Sequence, residues 1–389
     1  MSKRKFKLPG IQDLSKEQED ARALPNDGQF LIIGGPGTGK SVLALMRARR
    51  YNQQKFGNYR FLVFNNLLKQ ASTQLFESKL ESRQWQGWFG ELYSRLVKEE
   101  VPRNPPEPGS TFKDIDWGKV LQRINDLDSQ QQEESPYLII DEGQDMPPQF
   151  YRALASLGVR NFYVVADQNQ QIKPDKNSTR HEIQDELGIS SGEVIELQEN
   201  YRNKYPIARL AREFYTRDPA SPPPVLPTSK PSVERPVLFG YSANQFPKII
   251  ERILVRADQH PERLIAVITP NNIIRDKYVT ALRSTETELD NGRPQIETYP
   301  NSDKSEISFG DGGIVVINAQ SCKGLEFDTV FIADINEFPY WPDIADQQKR
   351  LFYVMVARAI DRVILLKEKG KNCKIDAIIP TNPEILDRK

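Results

Sequence analysis

Short apolar runs rich in branched residues recur along the chain, and a helix-like or polar stretch follows each one. The runs are FLII from Phe30, FLVF from Phe61, YLII from Tyr137, FYVVA from Phe162, LIAVIT from Leu264, GIVVIN from Gly313 and TVFIAD from Thr329. Continuous apolar strands that alternate with helices are typical of parallel sheets covered on both faces. The pattern therefore predicts an α/β protein.

A proline-rich segment interrupts this alternation between Asp218 and Pro236. Proline is excluded from helix interiors, so we expect this segment to be an extended linker. The chain has 389 residues, whereas single hydrophobic cores stop growing at roughly 250 to 300 residues. We therefore predict two lobes, residues 1–215 and 237–389, joined by a linker at 216–236, with a small insertion in the first lobe at about 69–135.

The composition excludes several classes of protein. No apolar run approaches the roughly 18 residues that a membrane span needs, and the basic start MSKRKFKLPG leads into a polar stretch that cannot serve as a signal peptide core. We expect a cytoplasmic protein without membrane contact. Two cysteines and two histidines lie far apart and form no short-spaced metal-binding pair. Because 53 basic residues balance 53 acidic ones, any nucleic-acid binding must come from a local groove.

A glycine-rich loop follows the first apolar run. Residues Gly34 to Ser41 read GGPGTGKS, which fits the phosphate-loop pattern G-x-x-x-x-G-K-[ST] between a strand-like and a helix-like segment. The predicted nucleotide cradle is Gly35, Pro36, Gly37, Thr38 and Gly39. The backbone N–H groups and the following helix N-terminus favour phosphate, Lys40 adds a positive charge, and Ser41 would ligate magnesium. A chance glycine-rich turn is the alternative, which both correct flanks make remote.

An acidic pair ends the run YLIIDEGQD. Ligands of α/β sheets bind at the carboxyl ends of strands, and Asp141 and Glu142 are expected there. Adjacent acidic residues are usually solvated surface, but these follow four apolar residues in a chain with a phosphate loop. We predict Asp141 as the carboxylate on the magnesium side and Glu142 as the group that polarises the attacking water.

Further motifs, in the same order along the chain, resemble those of the UvrD/Rep-like branch of superfamily 1 helicases. Gln18, in LSKEQEDA, is similar to the glutamine that reads the adenine edge in this family. RFLVFNNLLKQ resembles the first contact with single-stranded nucleic acid, which implies that Asn65 binds it. DEGQD resembles the DEAQD box, with Gly143 replacing alanine. FYVVADQNQQI resembles the GDxxQ motif, which puts Gln170 near the γ-phosphate.

The remaining motifs extend the resemblance to the second half of the chain. LQENYR resembles the fourth motif and implies that Arg202 contacts the γ-phosphate, as a planar donor fork would. INAQSCKGLEFDTVFI carries the KGLE core of the fifth motif, which implies nucleotide contact for Glu326 and nucleic-acid contact for Lys323. RLFYVMVARAIDRVIL resembles the sixth motif and makes Arg358 a catalytic arginine supplied by the second lobe. The resemblance implies two RecA-like lobes that bind ATP and magnesium between them.

The chain also departs from the family pattern. It continues IKPDKNST from Ile172, where members that unwind duplexes carry an aromatic residue and an FRGA-like segment. Asn318 and Gln320 stand where the fifth motif normally has Thr-x-His. Only 115 residues separate Arg202 from Asn318, which leaves no room for a large accessory insertion. We therefore predict a minimal two-lobe motor.

Aromatic residues in RQWQGWFGELY have two interpretations. Trp85, Trp88 and Phe89 could stack on bases, as aromatic side chains do in single-strand binders. Their spacing of three and four residues fits a buried helical stripe equally well. The sequence leaves both possibilities open, with Trp88 the candidate for nucleic-acid contact.

Two functions from different classes fit these observations. One is an ATP-dependent helicase or single-strand translocase in DNA repair, recombination or defence, with single-stranded DNA, or RNA, as its track. The other is a regulatory ATPase, gated by nucleic acid or by a protein partner, that does not unwind duplexes and works with a separate nuclease.

Overall fold

The computed structural model describes residues 11–55, 58–64, 69–70, 80, 82–106, 113–127, 136–171, 176–217, 222–228, 234–299 and 307–389. Their strands form two sheets, and every strand pair in both sheets is parallel. Helices cover both faces of each sheet. The predicted α/β class with two RecA-like lobes is confirmed.

The first sheet has the strand order β3-β2-β4-β5-β1-β6. Its strands are β1 Gln29–Gly34, β2 Tyr59–Val63, β3 Ser82–Gln84, β4 Tyr137–Ile140, β5 Asn161–Ala166 and β6 Ile195–Leu197. The associated helices are α1 Lys16–Ala23, α2 Lys40–Gln53, α3 Trp85–Val97, α4 Trp117–Asn125, α5 Pro148–Ser156 and α6 Arg180–Leu187. Successive strand residues face opposite sides, so Leu31 and Ile33 pack into one core while Ile32 packs into another.

The second sheet has the order β13-β7-β12-β11-β8-β10-β9. Its strands are β7 Val237–Tyr241, β8 Leu264–Thr269, β9 Ile296–Thr298, β10 Gly313–Asn318, β11 Phe327–Ile332, β12 Ala359–Glu368 and β13 Asp387–Arg388. The helices are α7 Tyr205–Glu213, α8 Phe246–Gln259, α9 Asn272–Ser284 and α10 Ala345–Ala357. Two cores again flank the sheet, with Ala266 on one side and Val267 on the other.

The chain segments that connect the two lobes contact both of them. Helix α7 precedes the proline-rich segment, yet Ile207 and Leu210 pack into a core of the second lobe. Beyond it, Val225 lies in extended backbone beside Glu199, and its N–H donates to the carbonyl of Gln198 at 2.7 Å. The described stretch around Val225 therefore lies along the edge of the first lobe, and the exact residue at which the lobes divide stays a prediction.

Helix α3 bears on the two interpretations of the aromatic stripe. Trp88 is only 6% exposed, and Trp85 and Phe89 are buried with it in the first lobe's core. Phe150 of α5 contacts the rings of Trp85 and Phe89 at centroid distances of 5.0 and 5.8 Å. Burial of the Trp88 ring favours the packing interpretation, and nucleic-acid contact by Trp88 stays a prediction.

The carboxyl ends of adjacent strands gather the predicted site. The phosphate loop follows β1, Asp141 follows β4, and Asp167 follows β5. These strands are neighbours in the order β4-β5-β1, so their ends meet at one edge of the sheet, as in other open α/β folds.

No helix among the described residues is long and apolar enough to cross a membrane.

Candidate nucleotide site between the two lobes

The phosphate loop has a backbone that only glycine adopts readily. Gly37 and Gly39 have φ angles of 76° and 88°, in the left-handed region. A methyl group on Gly37 would lie 2.3 Å from Oδ1 of Asn200, and one on Gly35 would lie 2.3 Å from Cγ of Pro224. Helix α2 begins at Lys40, directly after Gly39. The loop therefore leads into a helix N-terminus, where backbone N–H groups and the helix dipole favour anions.

Lys40 is held inside this loop. Its Nζ donates to the carbonyl oxygen of Gly35 at 2.8 Å and lies 3.8 Å from Oδ2 of Asp167. Burial lowers the pKa of Lys40, and the Asp167 carboxylate opposes that effect. A buried ammonium group with one carbonyl partner and a distant carboxylate has remaining donor capacity for a phosphate oxygen.

The acidic pair after β4 consists of two unlike carboxylates. Oδ1 of Asp141 accepts a hydrogen bond from Oγ of Ser41 at 3.1 Å, and burial, together with the neighbouring Glu142 charge, raises the pKa of Asp141 to about 7. Burial would also raise the pKa of Glu142, but Lys40, Arg358, the hydrogen bond from Gln144 and Lys323 together hold that pKa below its ordinary value. Glu142 therefore stays ionised at neutral pH, as a base must.

Glu142 also has a strained backbone. Its φ angle of 55° lies in the left-handed region, which costs a non-glycine residue roughly 1 kcal/mol or more. Oε2 of Glu142 accepts a hydrogen bond from Nε2 of Gln144 at 2.7 Å. Local strain maintained by a specific side-chain contact is typical of residues that are positioned for chemistry.

A chain of hydrogen bonds, through three side chains and one backbone N–H, connects Glu142 to Arg358 of the second lobe. Oε1 of Gln144 accepts from the backbone N–H of Asp167 at 2.9 Å. Oδ2 of Asp167 accepts from Nε2 of Gln170 at 2.7 Å, and Oε1 of Gln170 accepts from Nη2 of Arg358 at 2.7 Å. Each amide thus uses its donor on one side and its acceptor on the other. We call this set, Glu142, Gln144, Asp167, Gln170 and Arg358, the inter-lobe relay.

Residues of the second lobe close the site. Arg358 is only 1% exposed, and burial lowers its pKa, with Arg202 adding to that effect. Glu326 forms an ion pair with Arg202. Together the lobes enclose a cavity of about 380 Å³. The predicted site residues that line it are Gln18, Pro36, Gly37, Gly39, Lys40, Ser41, Glu142, Gln170, Arg202, Glu326 and Arg358. We call this space the nucleotide cavity.

Gln18 lines the nucleotide cavity, and both ends of its amide group are already bonded. Nε2 donates to the carbonyl of Thr38 at 2.9 Å, and Oε1 accepts from the backbone N–H of Ser15 at 3.0 Å. An amide nitrogen carries two protons and an amide oxygen two lone pairs. One donor and one acceptor position therefore remain, which is the pattern needed to read an adenine edge.

The sequence did not single out Asn203, which holds the backbone on either side of Arg358. Its Nδ2 donates to the carbonyls of Ala357 and Ala359, at 3.1 and 2.5 Å, on either side of Arg358. Asn203 is buried and follows Arg202 in NYRN. The sequence signal was a polar residue directly after a candidate arginine, but its partners lie over 150 residues away.

This structure describes only one of the two remaining residues proposed to contact nucleic acid, Asn65 and Lys323. Asn65 lies outside the described residues. Lys323 is only 4% exposed, and its Nζ lies 2.5 Å from Oδ1 of Asp145 in the first lobe. In this conformation the ammonium group pairs with a buried carboxylate, and its contact with a nucleic-acid phosphate stays a prediction.

The donor set fits a nucleoside triphosphate with magnesium. Ser41 and Asp141 supply a hydroxyl and a carboxylate oxygen, the hard ligands that magnesium takes together with phosphate oxygens and water. The buried Asp141 carboxylate, next to the Glu142 charge, is a group whose charged form a divalent ion would stabilise. A methyl group at Gly39 would lie 2.6 Å from Nε2 of Gln18. Glycine at this position therefore lets the phosphate loop pack closely against the Gln18 side chain.

Two protein-family models match the chain. An AAA domain matches residues 18–174, and a UvrD-like helicase C-terminal domain matches residues 313–366. No curated protein shows significant similarity to the chain. Among solved structures, the chain is similar to the C-terminal domain of a possible DNA helicase from Lactobacillus plantarum WCFS1, with 16% identity and a TM-score of 0.34, over 48% of this chain and 97% of that one. The two matched ranges contain the phosphate loop and Arg358, from the two sides of the nucleotide cavity.

Proposed function

We propose that this chain, which belongs to the UvrD/Rep-like branch of the superfamily 1 helicases, is an ATPase that couples ATP hydrolysis between its lobes to movement along single-stranded DNA. The observation that carries the proposal is the inter-lobe relay, which joins Glu142 of the first lobe to Arg358 of the second through Gln144, Asp167 and Gln170. A site built from both lobes can convert the loss of a phosphate into a change of their relative position.

Each side chain has a defined role in this proposal. Lys40 and the glycine loop hold the phosphates, and the adenine edge meets the free donor and acceptor of Gln18. Glu142 takes a proton from water as its oxygen attacks the γ-phosphorus, and the bond to the bridging oxygen of ADP breaks. Arg358 and Arg202 stabilise the charge that develops on the transferred group and the leaving oxygen.

Magnesium, held by Ser41 and Asp141, would supply charge neutralisation at the phosphate oxygens. Burial and the neighbouring Glu142 charge raise the pKa of Asp141 to about 7, and a bound cation would favour its ionised form. Gln144 and Gln170 keep the Glu142 carboxylate and the Arg358 guanidinium oriented, so neither group has to reorganise during the reaction.

A second candidate function is a regulatory ATPase that does not unwind duplexes, controlled by nucleic acid or a protein partner. The burial of Lys323 against Asp145 favours it, since this removes a predicted phosphate contact from the surface. A tailed-duplex strand-separation assay separates the two candidates, because only a helicase releases the displaced strand. The translocase proposal would place the enzyme in DNA repair, recombination or defence.

The deciding experiment is steady-state ATP hydrolysis with and without single-stranded DNA or RNA, beside Glu142→Gln. We expect stimulation by single-stranded DNA, and we expect Glu142→Gln to retain nucleotide binding while turnover falls by about a hundredfold or more. Hydrolysis that ignores both polymers would favour the partner-controlled ATPase. Parental turnover by Glu142→Gln would show that another group activates the water.

A further inference from the structure

A second cavity, of about 550 Å³, lies in the second lobe between helix α8 and the sheet. None of its lining residues also lines the nucleotide cavity. Its floor is a row of apolar side chains that are in register across neighbouring strands, Phe331 on β11, Ile364 on β12 and Val237 on β7. Phe239 continues the floor one step along β7. We call this space the arginine cavity, for the side chains described below.

The floor is apolar but incompletely covered. Val237, Phe239 and Ile364 are only half-buried, although each lies on a sheet face that is otherwise covered by α8 and α9. Apolar side chains on a sheet are normally buried by the layer packed against them. The exposed floor is therefore an apolar surface that a bound group could cover.

Arginine side chains surround this floor. Arg252 and Arg256 project from α8, Arg362 from β12, and Arg235 comes directly before β7. The guanidinium carbon of Arg252 lies 5.1 Å from the ring centroid of Phe239. Burial lowers the pKa of Arg256, and the nearby Arg263 adds to the effect. Asp361 opposes that effect. Arg252 therefore lies against the apolar floor, where an anion would stabilise its charge.

The acidic residues at the rim neutralise only part of this group. Glu234 pairs with Arg362, and Asp387 pairs with Lys389 at 3.2 Å. Across the stretches of chain whose structure is described, Arg252 and Arg256 form no ion pair with a carboxylate. Arg235 donates instead to the carbonyl of Pro383 at 3.0 Å. The cavity thus has surplus positive charge in a protein whose formal net charge is zero.

We propose that the arginine cavity binds an acidic protein segment that places one large apolar side chain on the floor and carboxylates against Arg252 and Arg256. Planar guanidinium groups suit carboxylates, which they can bind through two parallel hydrogen bonds. The aliphatic side chains of Val237 and Ile364 offer no hydrogen-bond partner to a base edge, so the floor suits an apolar side chain better than a nucleotide. Surplus charge beside an apolar pocket is the complement of an acidic segment with an apolar anchor.

The proposal is independent of ATP hydrolysis, and its test measures binding alone. The probes are fluorescein-labelled synthetic peptides in which a central phenylalanine, leucine or tryptophan has three glutamates on each side. Fluorescence anisotropy with the full chain, without nucleotide, should show saturable binding of at least one peptide. Replacing the glutamates by glutamines, or the central residue by alanine, should weaken binding about tenfold or more.

Charge reversal on one helix locates the site. Arg252→Glu and Arg256→Glu should each weaken peptide binding about tenfold or more. Lys248→Glu is the matched control, because Lys248 is an exposed basic residue of the same helix that does not line the cavity; we expect a change of at most about twofold. Circular dichroism of each variant confirms that α8 is folded.

Three results would overturn the proposal. None of the three peptides binds saturably, or Lys248→Glu weakens binding as much as Arg256→Glu, or a single-stranded oligonucleotide displaces the peptide and itself depends on Arg252 and Arg256. The last result would assign the cavity to nucleic acid. Binding that requires the glutamates, the apolar residue and both arginines would support an acidic protein partner.

Discussion

Strand β12 contributes residues to both the nucleotide cavity and the arginine cavity. The two cavities differ in whether their arginines are already hydrogen-bonded within the protein. Arg358, directly before β12, is buried and bonded to Gln170 and to the carbonyl of Val354. Arg252 and Arg256 of α8 line the arginine cavity, to which the middle of β12 also contributes. Among the described residues, neither arginine has a carboxylate partner. Chemistry requires groups that are oriented before the substrate arrives. Recognition of a charged partner instead requires groups whose charge the partner itself neutralises.

The largest expected effect separates two arginines on the two sides of this comparison. Arg358→Ala should lower ATP turnover by about a thousandfold or more, as loss of a catalytic arginine does in related phosphoryl-transfer sites. Arg362→Ala, four residues further along the same segment, should leave turnover within about twofold, because Arg362 lines the arginine cavity and not the nucleotide cavity. Single-turnover hydrolysis measures both. Equal losses would mean that the two cavities are coupled through β12.

Next in size is the buried ion pair between the lobes. Lys323→Met leaves the Asp145 carboxylate without its cation, which costs on the order of 3 kcal/mol and should lower Tm by roughly 5 to 10 °C. Glu234→Gln breaks the Arg362 pair at the rim of the arginine cavity, where the glutamate is 65% exposed, and should change Tm by no more than about 1 °C. Thermal unfolding followed by circular dichroism compares them, and equal shifts would contradict the difference in burial.

This pair also predicts a pH dependence. Burial raises the pKa of Asp145 to about 6, although Lys323 opposes it, whereas in the unfolded chain the value is about 4. The folded protein therefore binds the Asp145 proton more tightly, so this residue's contribution to stability rises as pH falls through about 6. Lys323→Met removes the opposing charge and raises that pKa further. The Tm deficit of Lys323→Met should be largest above about pH 7 and smaller near pH 5; a deficit that grows on acidification would contradict the assignment.

The inter-lobe relay should act as a unit, with a smaller effect than loss of its arginine. Gln144→Met keeps the size of the side chain but removes the bonds to Glu142 and to the N–H of Asp167. Misplacement of a catalytic group typically costs about ten- to a hundredfold, so we expect turnover to fall by that factor while nucleotide affinity changes little. Stopped-flow binding of a fluorescent ATP analogue, beside turnover, checks the split. A loss of affinity alone would make Gln144 a binding residue.

Features that depend on neighbours in sequence were predictable, and those that depend on distant partners were not. The run FLII falls within β1 and GIVVIN coincides with β10, because buried parallel strands are continuously apolar. The glycines of the phosphate loop encode a local backbone shape. By contrast, β7 is only partly buried and was not foreseen, and α7 packs into the second lobe although it precedes the linker.

The same distinction holds within the candidate site. The sequence identified Lys40, Glu142 and Arg358 by residue type and motif order, and the structure brings them to one cavity, although their catalytic roles stay predictions. It could not show that Lys323 would be neutralised by Asp145, since the two are 178 positions apart. Whether a basic residue faces solvent or a buried carboxylate is decided by tertiary packing, to which the local motif gives no guide.

The smallest expected effect on activity comes from a substitution at Gly143, next to Glu142. Side chains fill the space around Gly143, whereas the floor of the arginine cavity is open. A methyl group on Gly143 would lie 2.4 Å from Cγ1 of Val164 and 2.9 Å from the hydroxyl of Tyr151. Gly143→Ala should therefore destabilise the protein by about 1 to 3 kcal/mol and displace Glu142, lowering turnover with it. Gly90→Ala is the matched control, since its methyl group would meet nothing nearer than 4.0 Å within helix α3 and should stabilise by up to about 1 kcal/mol. Parental Tm and turnover in Gly143→Ala would mean that the strand behind the acidic pair has room to shift. Close packing around Gly143 would then not determine the position of Glu142.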